Sequence, residues 1–172
     1  IKNTPAVTLD GQRVELLANI ELPQDTLPAL SVGAVGVGLF RTEFLFMGRG
    51  GKLPDEEEQY DAYRRAVEGM HGLPVTIRTV DIGADKPLET HRRDAHLNPA
   101  LGLRAIRWSL AEPAMFLTQL RAILRAAAHG KVNVLIPMVA HLSEVRQVHA
   151  MLAKAREQLD RRGVVYGPVR VG

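Results

Sequence analysis

Short apolar runs alternate along this chain with longer segments whose apolar residues recur at helical spacing. The runs within Gly36–Phe46 (GVGLFRTEFLF), Val75–Val80 (VTIRTV) and Val132–Val139 are rich in branched residues and bounded by glycine or proline. Such runs read as strands buried on both faces of a parallel sheet. Between them, Asp55–Met70 places Tyr60, Tyr63, Val67 and Met70 on one helical face, behind a loop (MGRGGKLPDEEEQ) whose Pro54 suits the first turn. A second helix is predicted from Pro113, with Phe116, Leu117, Leu120, Leu124 and Ala127 as its stripe and Gly130 as its stop. A third follows Ser143, read as its cap, with Val145, Val148, Leu152 and Leu159 on one side.

The remaining segments are shorter. Ala6–Leu9 and Val14–Asn19 alternate around Asp10-Gly11 as a hairpin does, and the second of them runs on into the sheet core. Pro23 and Pro28 bracket a weakly helical stretch closed by Gly33. A polar loop from Asp81 to Pro99 precedes LGLRAIRWSL, a short helix carrying Arg104 and Arg107, and VVYGPVRVG after Gly163 begins a further strand. The order is hairpin, β-α-β-α-α-β-α and an incipient strand, which predicts an α/β fold with a parallel sheet.

Right-handed crossovers bring the strand ends at Arg41, Arg78 and Val139 to one rim, where ligands of such sheets bind. Arg41 and Arg78 match: each ends an apolar strand, and each is followed by Thr (Thr42, Thr79) and then an acid (Glu43, Asp81). Two guanidinium forks at one mouth suit a ligand with several oxyanion groups, such as a phosphate plus a carboxylate. Each charged hydrogen bond there contributes roughly 1.5–3 kcal/mol. Spacing alone leaves an equal alternative, in which Arg41 pairs with Asp81 and Arg78 with Glu43 to close the rim. Arg104 reaches the same mouth from the loop, and Asn98 either orients a ligand oxygen or serves its turn before Pro99. The Glu43, Asp81 and Asp85 carboxylates match no metal-binding spacing. The six histidines read as surface residues.

Composition narrows these readings. A length of 172 residues fits one domain, whereas a complete (β/α)8 barrel takes about 250. Apolar residues make up 46% and charged residues 24%, which excludes a disordered chain. No apolar run nears a membrane span and the first residues lack a signal-peptide pattern, so a cytoplasmic location is expected, with no membrane partner. With no cysteine, disulfides, thiolate metal sites and a cysteine nucleophile are excluded from this chain. The net charge of +3 is spread over Arg64-Arg65, Arg92-Arg93 and Arg161-Arg162 without aromatic interleaving, so a small anion is favoured over nucleic acid.

Taken in order, GVGLFRTEFLF, LPDEEEQ, VTIRTVDIGADKPL, NPALGLRAIR, QLRAILRAAAHG and VLIPMV resemble the enzyme I family of the bacterial phosphoenolpyruvate:sugar phosphotransferase system over nearly the whole chain. The chain is more distantly similar to pyruvate phosphate dikinase and phosphoenolpyruvate synthase. The resemblance implies a phosphoenolpyruvate-binding (β/α)8 barrel of the TIM type that uses magnesium to phosphorylate a histidine of a separate N-terminal domain. The phosphoryl group then passes to a histidine-containing phosphocarrier protein in sugar uptake. It further implies that Arg41 and Arg78 bind phosphoenolpyruvate, that Arg104 supports them, and that the domain forms a homodimer.

Residues 1–172 then correspond to the N-terminal half of that barrel. The family's magnesium ligands, neighbouring Asn, further arginine and catalytic cysteine are expected beyond Gly172, so no catalytic residue is assigned here and the piece alone is expected to be inactive. Glu43, Asp81 and Asn98 are supporting residues. An open half barrel leaves sheet edges to cover, which predicts dimerisation, strand exchange or covering by a terminal segment. A reading of another class is a non-catalytic anion-binding or interaction module, and a third is the barrel of a dikinase or synthase.

Overall fold

A computed structural model of the chain describes residues 4–82 and 102–172. Asn98, Asp85, His91, His96, the Arg92-Arg93 pair and most of the polar loop lie outside the described residues. Five parallel strands form one sheet in chain order: β1 (Ala18–Ile20), β2 (Val37–Arg41), β3 (Val75–Arg78), β4 (Val132–Leu135) and β5 (Val169–Val171). Parallel neighbours need crossovers. These contain α1 (Thr26–Ser31), α2 (Glu56–Gly69), the pair α3 (Ile106–Ala111) and α4 (Pro113–Ala126), and α5 (Leu142–Arg161). Strand order that never reverses is the winding of a (β/α)8 barrel wall, and a doubly wound sheet would reverse. The α/β class and the partial-barrel architecture therefore hold.

The strands depart from the expectation of burial on both faces. Val75 and Ile77 of β3 and Val132 and Val134 of β4 are buried, whereas the alternating Thr76, Arg78 and Asn133 are half-buried. The period of two comes from a sheet with helices packed on one face. Asn133 donates to Thr76 across the other face at 3.3 Å. Arg78 shares the phase of Thr76, so the rim arginine stands on the face away from the helices.

Other boundaries moved for local reasons. The hairpin is a single antiparallel bridge, Val7 to Arg13, closed by the Thr8–Gln12 turn, and the chain then enters β1 as expected. Strand β4 stops at Leu135 instead of Val139. Helix α2 starts where the sequence placed it, with Asp55 as its cap and Pro54 just outside: the Asp55 carboxylate accepts from Glu58 N–H at 2.8 Å while Glu58 reaches back to Asp55 N–H at 2.9 Å. Residue His141, not Ser143, caps α5, because the Glu144 carboxylate takes the N–H groups of Ala140 and His141. Arg104 precedes α3 instead of riding on it, whereas Pro113 opens α4 as predicted.

Helix α4 is the hub of the helical layer, packed between α2 and α5, and Phe116, Leu120, Ile123 and Leu124 are fully buried on it. Its outer side is tied by Glu56, which receives Arg121 at 2.6 Å, Arg125 at 2.8 Å and Arg162 at 2.9 Å. Burial pushes the Glu56 carboxyl up, but these three guanidinium groups outweigh it and hold the pKa at about 2. Because the folded value lies below the ordinary 4.5, the stabilisation is complete above the unfolded value and is lost as pH falls through the folded one. Allowing for solvent screening, Glu56 contributes on the order of 2 kcal/mol at neutral pH. Urea midpoints of Glu56→Gln and the parent chain are expected to differ at pH 7 and to converge between about pH 4.5 and 2.

Candidate functional site at the strand ends

The register of β2 and β3 pairs Arg41 with Arg78 directly, and Arg78 with Leu135 of β4. The two arginines therefore stand side by side at the carboxyl rim. Because Ile20 of β1 is registered with Phe40, Glu21 emerges beside Arg41 and forms its ion pair. The sequence-based pairing of Arg41 with Asp81 is thus corrected. Arg78 does pair with Glu43, at 3.0 Å, and its other terminal nitrogen lies 3.6 Å from Asp81. Arg104 donates to the far side of Asp81 through Nε and Nη2, at 3.3 and 3.1 Å. Glu43, Arg78, Asp81 and Arg104 thus form one continuous chain of charge.

Local structure fixes each member of that chain. After β2 the backbone turns into a 3-10 helix over Thr42–Leu45, which folds Glu43 back beneath Arg78 and leaves it only 4% exposed. Glu43 also accepts the Asp81 N–H at 2.8 Å, so one carboxylate oxygen ties the ends of both strands. Below the rim, Phe46, Val80, Ile82, Trp108 and Met115 make a second apolar cluster that seats the loop after β3 against α3 and α4. Arg104 is delivered by Ala105, whose φ of 50° is unfavourable for a residue with a Cβ and whose N–H bonds to Ile82 O at 3.2 Å.

Ion pairing does not use all the donors. The Nε atoms of Arg41 and Arg78 are buried and, among the described residues, have no hydrogen-bond partner. An enclosed donor without a partner costs roughly 1–3 kcal/mol, and a rim built only to pair charges gains nothing by keeping two. Two buried guanidinium N–H groups without partners, on arginines whose Cα atoms are in register, leave this rim short of acceptors, which an oxyanion bound there would supply.

Two glutamines escaped the sequence reading. Thr42 donates its hydroxyl to Arg78 O at 2.9 Å and accepts from Gln119 Nε2 at 3.2 Å. Gln119 Nε2 also donates to the Tyr63 hydroxyl at 3.0 Å, and Gln119 Oε1 accepts the Val80 N–H at 3.0 Å. Tyr63 in turn donates to Gln59 at 3.1 Å, and Gln59 to Pro54 O at 3.0 Å. Burial raises the Tyr63 phenol far above its ordinary range, more than the hydrogen bond from Gln119 and its polar surroundings lower it, so it keeps its proton. The available signal was phase: Gln119 falls three residues after Phe116 and four before Ile123, and Gln59 four before Tyr63, all on buried faces.

The carboxylates at this rim do not make a cation site. Glu43 and Asp81 are engaged by arginines and a backbone N–H, and no group of three His, Asp or Glu is placed to hold a metal ion among the described residues. The described histidines, His71, His129, His141 and His149, are exposed, with His129 between Tyr60 at 2.9 Å and Glu68 at 3.2 Å and His141 in the loop that follows β4. No helix among the described residues is long and apolar enough to cross a membrane.

Comparison with known proteins places the chain in a family. The model of the PEP-binding domain of PEP-utilising enzymes matches residues 1–172. A phosphoenolpyruvate-protein phosphotransferase of Cupriavidus necator is 63% identical over 175 residues, spanning 100% of this chain and 30% of the relative. One from Geobacillus stearothermophilus is 51% identical over 92% of this chain and 27% of its own length. One from Staphylococcus epidermidis is 47% identical over 95% of this chain and 28% of its own length. The chain thus spans less than a third of these relatives. With its chain-ordered parallel sheet and its paired arginines at the carboxyl rim, the chain belongs to the PEP-binding domain family of the PEP-utilising enzymes.

Proposed function

We propose that this chain supplies part of the phosphoenolpyruvate site of a phosphoenolpyruvate-protein phosphotransferase, with Arg41 and Arg78 gripping the substrate and Arg104 supporting them. The observation that carries the reading is the registered Arg41–Arg78 pair with both Nε donors unused. A phosphate and a carboxylate on one small molecule match two adjacent forks, and the family's substrate has both groups. Glu43 and Asp81 hold Arg78 and Arg104 in place between turnovers.

In the transfer, the bond from phosphorus to the enol oxygen breaks as one forms to an imidazole nitrogen of a histidine on another domain. The chain's contribution is electrostatic: fixed guanidinium groups stabilise the equatorial phosphoryl oxygens and the carboxylate, at no cost of reorganisation during the reaction. Magnesium belongs to the same proposal for the intact enzyme, but the rim carboxylates described here do not fit it, and no step is assigned to it. A histidine-containing phosphocarrier protein as acceptor, sugar uptake as context, a cytoplasmic location and a homodimer complete the reading. Asn98 remains a proposed supporting residue. The phosphotransferase names of the relatives support this reading over that of a non-catalytic module or a dikinase.

Calorimetric titration of the full-length protein with phosphoenolpyruvate tests it. Arg41→Ala is expected to weaken binding about tenfold or more, the loss of one charged hydrogen bond, with little effect on stability because the Arg41 side chain is 39% exposed. Unchanged affinity would count against the assignment.

A further inference from the structure

We infer that Gln119, acting through Thr42, is a positioning residue for the substrate site: it sets where Arg78 stands without touching the ligand. The inference rests on the substrate reading of Arg78 above. Four of the relevant groups are buried polar side chains, Gln59, Tyr63, Thr42 and Gln119, and each lies in a helix or a strand-end turn that otherwise packs apolar residues.

Hydrogen count fixes the direction of the relay. Val80 N–H can only donate, so the oxygen of the Gln119 amide must face it, which leaves both hydrogens of Nε2 for Thr42 and Tyr63. Thr42, now an acceptor from Gln119, spends its own hydrogen on the carbonyl of Arg78. Gln119 thereby grips β2 at Thr42, one residue beyond Arg41, and the segment after β3 at Val80, two residues beyond Arg78. No other described side chain bonds to both segments from the helical layer. The two strand ends also meet through Glu43, but that link runs on the rim side and engages the Arg78 head group, whereas the Gln119 link holds the backbone beneath it. Two independent restraints, one on the main chain and one on the guanidinium, fix a long side chain in a single pose, as an anion clamp requires.

The Tyr63–Gln59 arm serves as an internal control. It is as buried as the Thr42 arm but leads away from the rim, to the carbonyl before the α2 cap. A merely structural network predicts the same consequences from cutting either arm. A positioning role predicts that only cuts on the Thr42 side reach the substrate.

The experiment measures phosphoenolpyruvate-dependent phosphorylation of the full-length protein, together with thermal melts, for Gln119→Met, Thr42→Val, Thr42→Ser, Tyr63→Phe and Arg78→Ala. Gln119→Met and Thr42→Val are each expected to raise KM for phosphoenolpyruvate about tenfold with a smaller change in kcat. Their double variant is expected to be no worse than the poorer single one. Thr42→Ser, which keeps the hydroxyl, is expected to restore the parent KM, and Tyr63→Phe to lower the melting temperature while leaving KM unchanged. If Gln119→Met does not fold, the Thr42→Val and Thr42→Ser pair carries the test. A parent-like KM in Thr42→Val overturns the inference, and so does a rise in Tyr63→Phe equal to that in Gln119→Met. Should Arg78→Ala itself leave KM unchanged, the substrate reading has failed; if only Arg78→Ala raises it, the positioning inference alone has failed.

Discussion

In the full-length protein, on the proposed substrate role of Arg78, Arg78→Ala is expected to raise the phosphoenolpyruvate concentration for half-maximal phosphorylation by about 100-fold or more, the loss of two charged hydrogen bonds. Arg78 sits at the centre of the rim, bonded to Glu43 at 3.0 Å, beside Asp81 at 3.6 Å and in register with Arg41. Removing it takes away a guanidinium fork from the rim and also leaves the Glu43 carboxylate, only 4% exposed, with the Asp81 N–H as its remaining hydrogen bond among the described residues. An uncompensated carboxylate in such a position costs roughly 1–3 kcal/mol. Urea midpoints should therefore fall together with affinity. Arg78→Lys separates the two effects, since an ammonium neutralises Glu43 but lacks the planar fork, and most of the stability should return while KM stays high. A large loss of stability with normal KM would mean that the rim arginine only closes charge.

The largest expected loss of stability comes from Gly167→Ala. A Cβ at this position would lie 2.1 Å from Ala127 O and 2.4 Å from Ala127 C, so backbone meets backbone and no side chain can yield. The segment is also held in place, because Gly167 N–H donates to Leu124 O at 3.0 Å, and this bond seats the approach to β5 on the end of α4. Retreat would break that bond and shift the β4–β5 pairing. A loss of roughly 3 kcal/mol or more is expected. Gly163→Ala provides the contrast, since a Cβ there meets open space and only its φ of 62° opposes the change, for a loss of about 1 kcal/mol. Equal urea midpoints for the two variants would contradict the packing described here.

Much of this arrangement is legible in the residues themselves. The strands announce themselves as branched apolar runs, and the matched Arg-Thr-acid and Arg-Thr-x-acid endings of β2 and β3 place both arginines at one rim. The partner of Arg41 was not legible, because it depends on the register of β1 against β2, and Glu21 follows a strand of only three residues. The cap of α5 was missed at His141 for a related reason: polar residues compete within one turn, and the reciprocal Glu three residues on decides the outcome. The alternation of Thr76, Arg78 and Asn133 against buried valines and isoleucine was present in the sequence, yet short β-branched runs look the same whether one or both faces are covered.

The glutamines teach a more general point. Polar residues in the buried phase of a helix are penalised unless bonded, so Gln59 and Gln119 mark places where the helical layer must satisfy something beyond itself. For Gln119 that is the pair of strand ends carrying Arg41 and Arg78. Geometry of this kind links the packing of α4 to the charge chain on the rim.

The proposed grip of Arg41 and Arg78 on phosphoenolpyruvate rests on two guanidinium Nε–H groups that ion pairing leaves without a partner. Nitrogen-15 NMR of the arginine Nε–H groups in the full-length protein tests it most directly, with Arg41→Lys and Arg78→Lys assigning the two signals. Saturating phosphoenolpyruvate is predicted to shift both Nε–H resonances and slow their exchange with water, while inorganic phosphate perturbs them less. Signals that stay in place at saturation, with binding confirmed by calorimetry, would contradict the account.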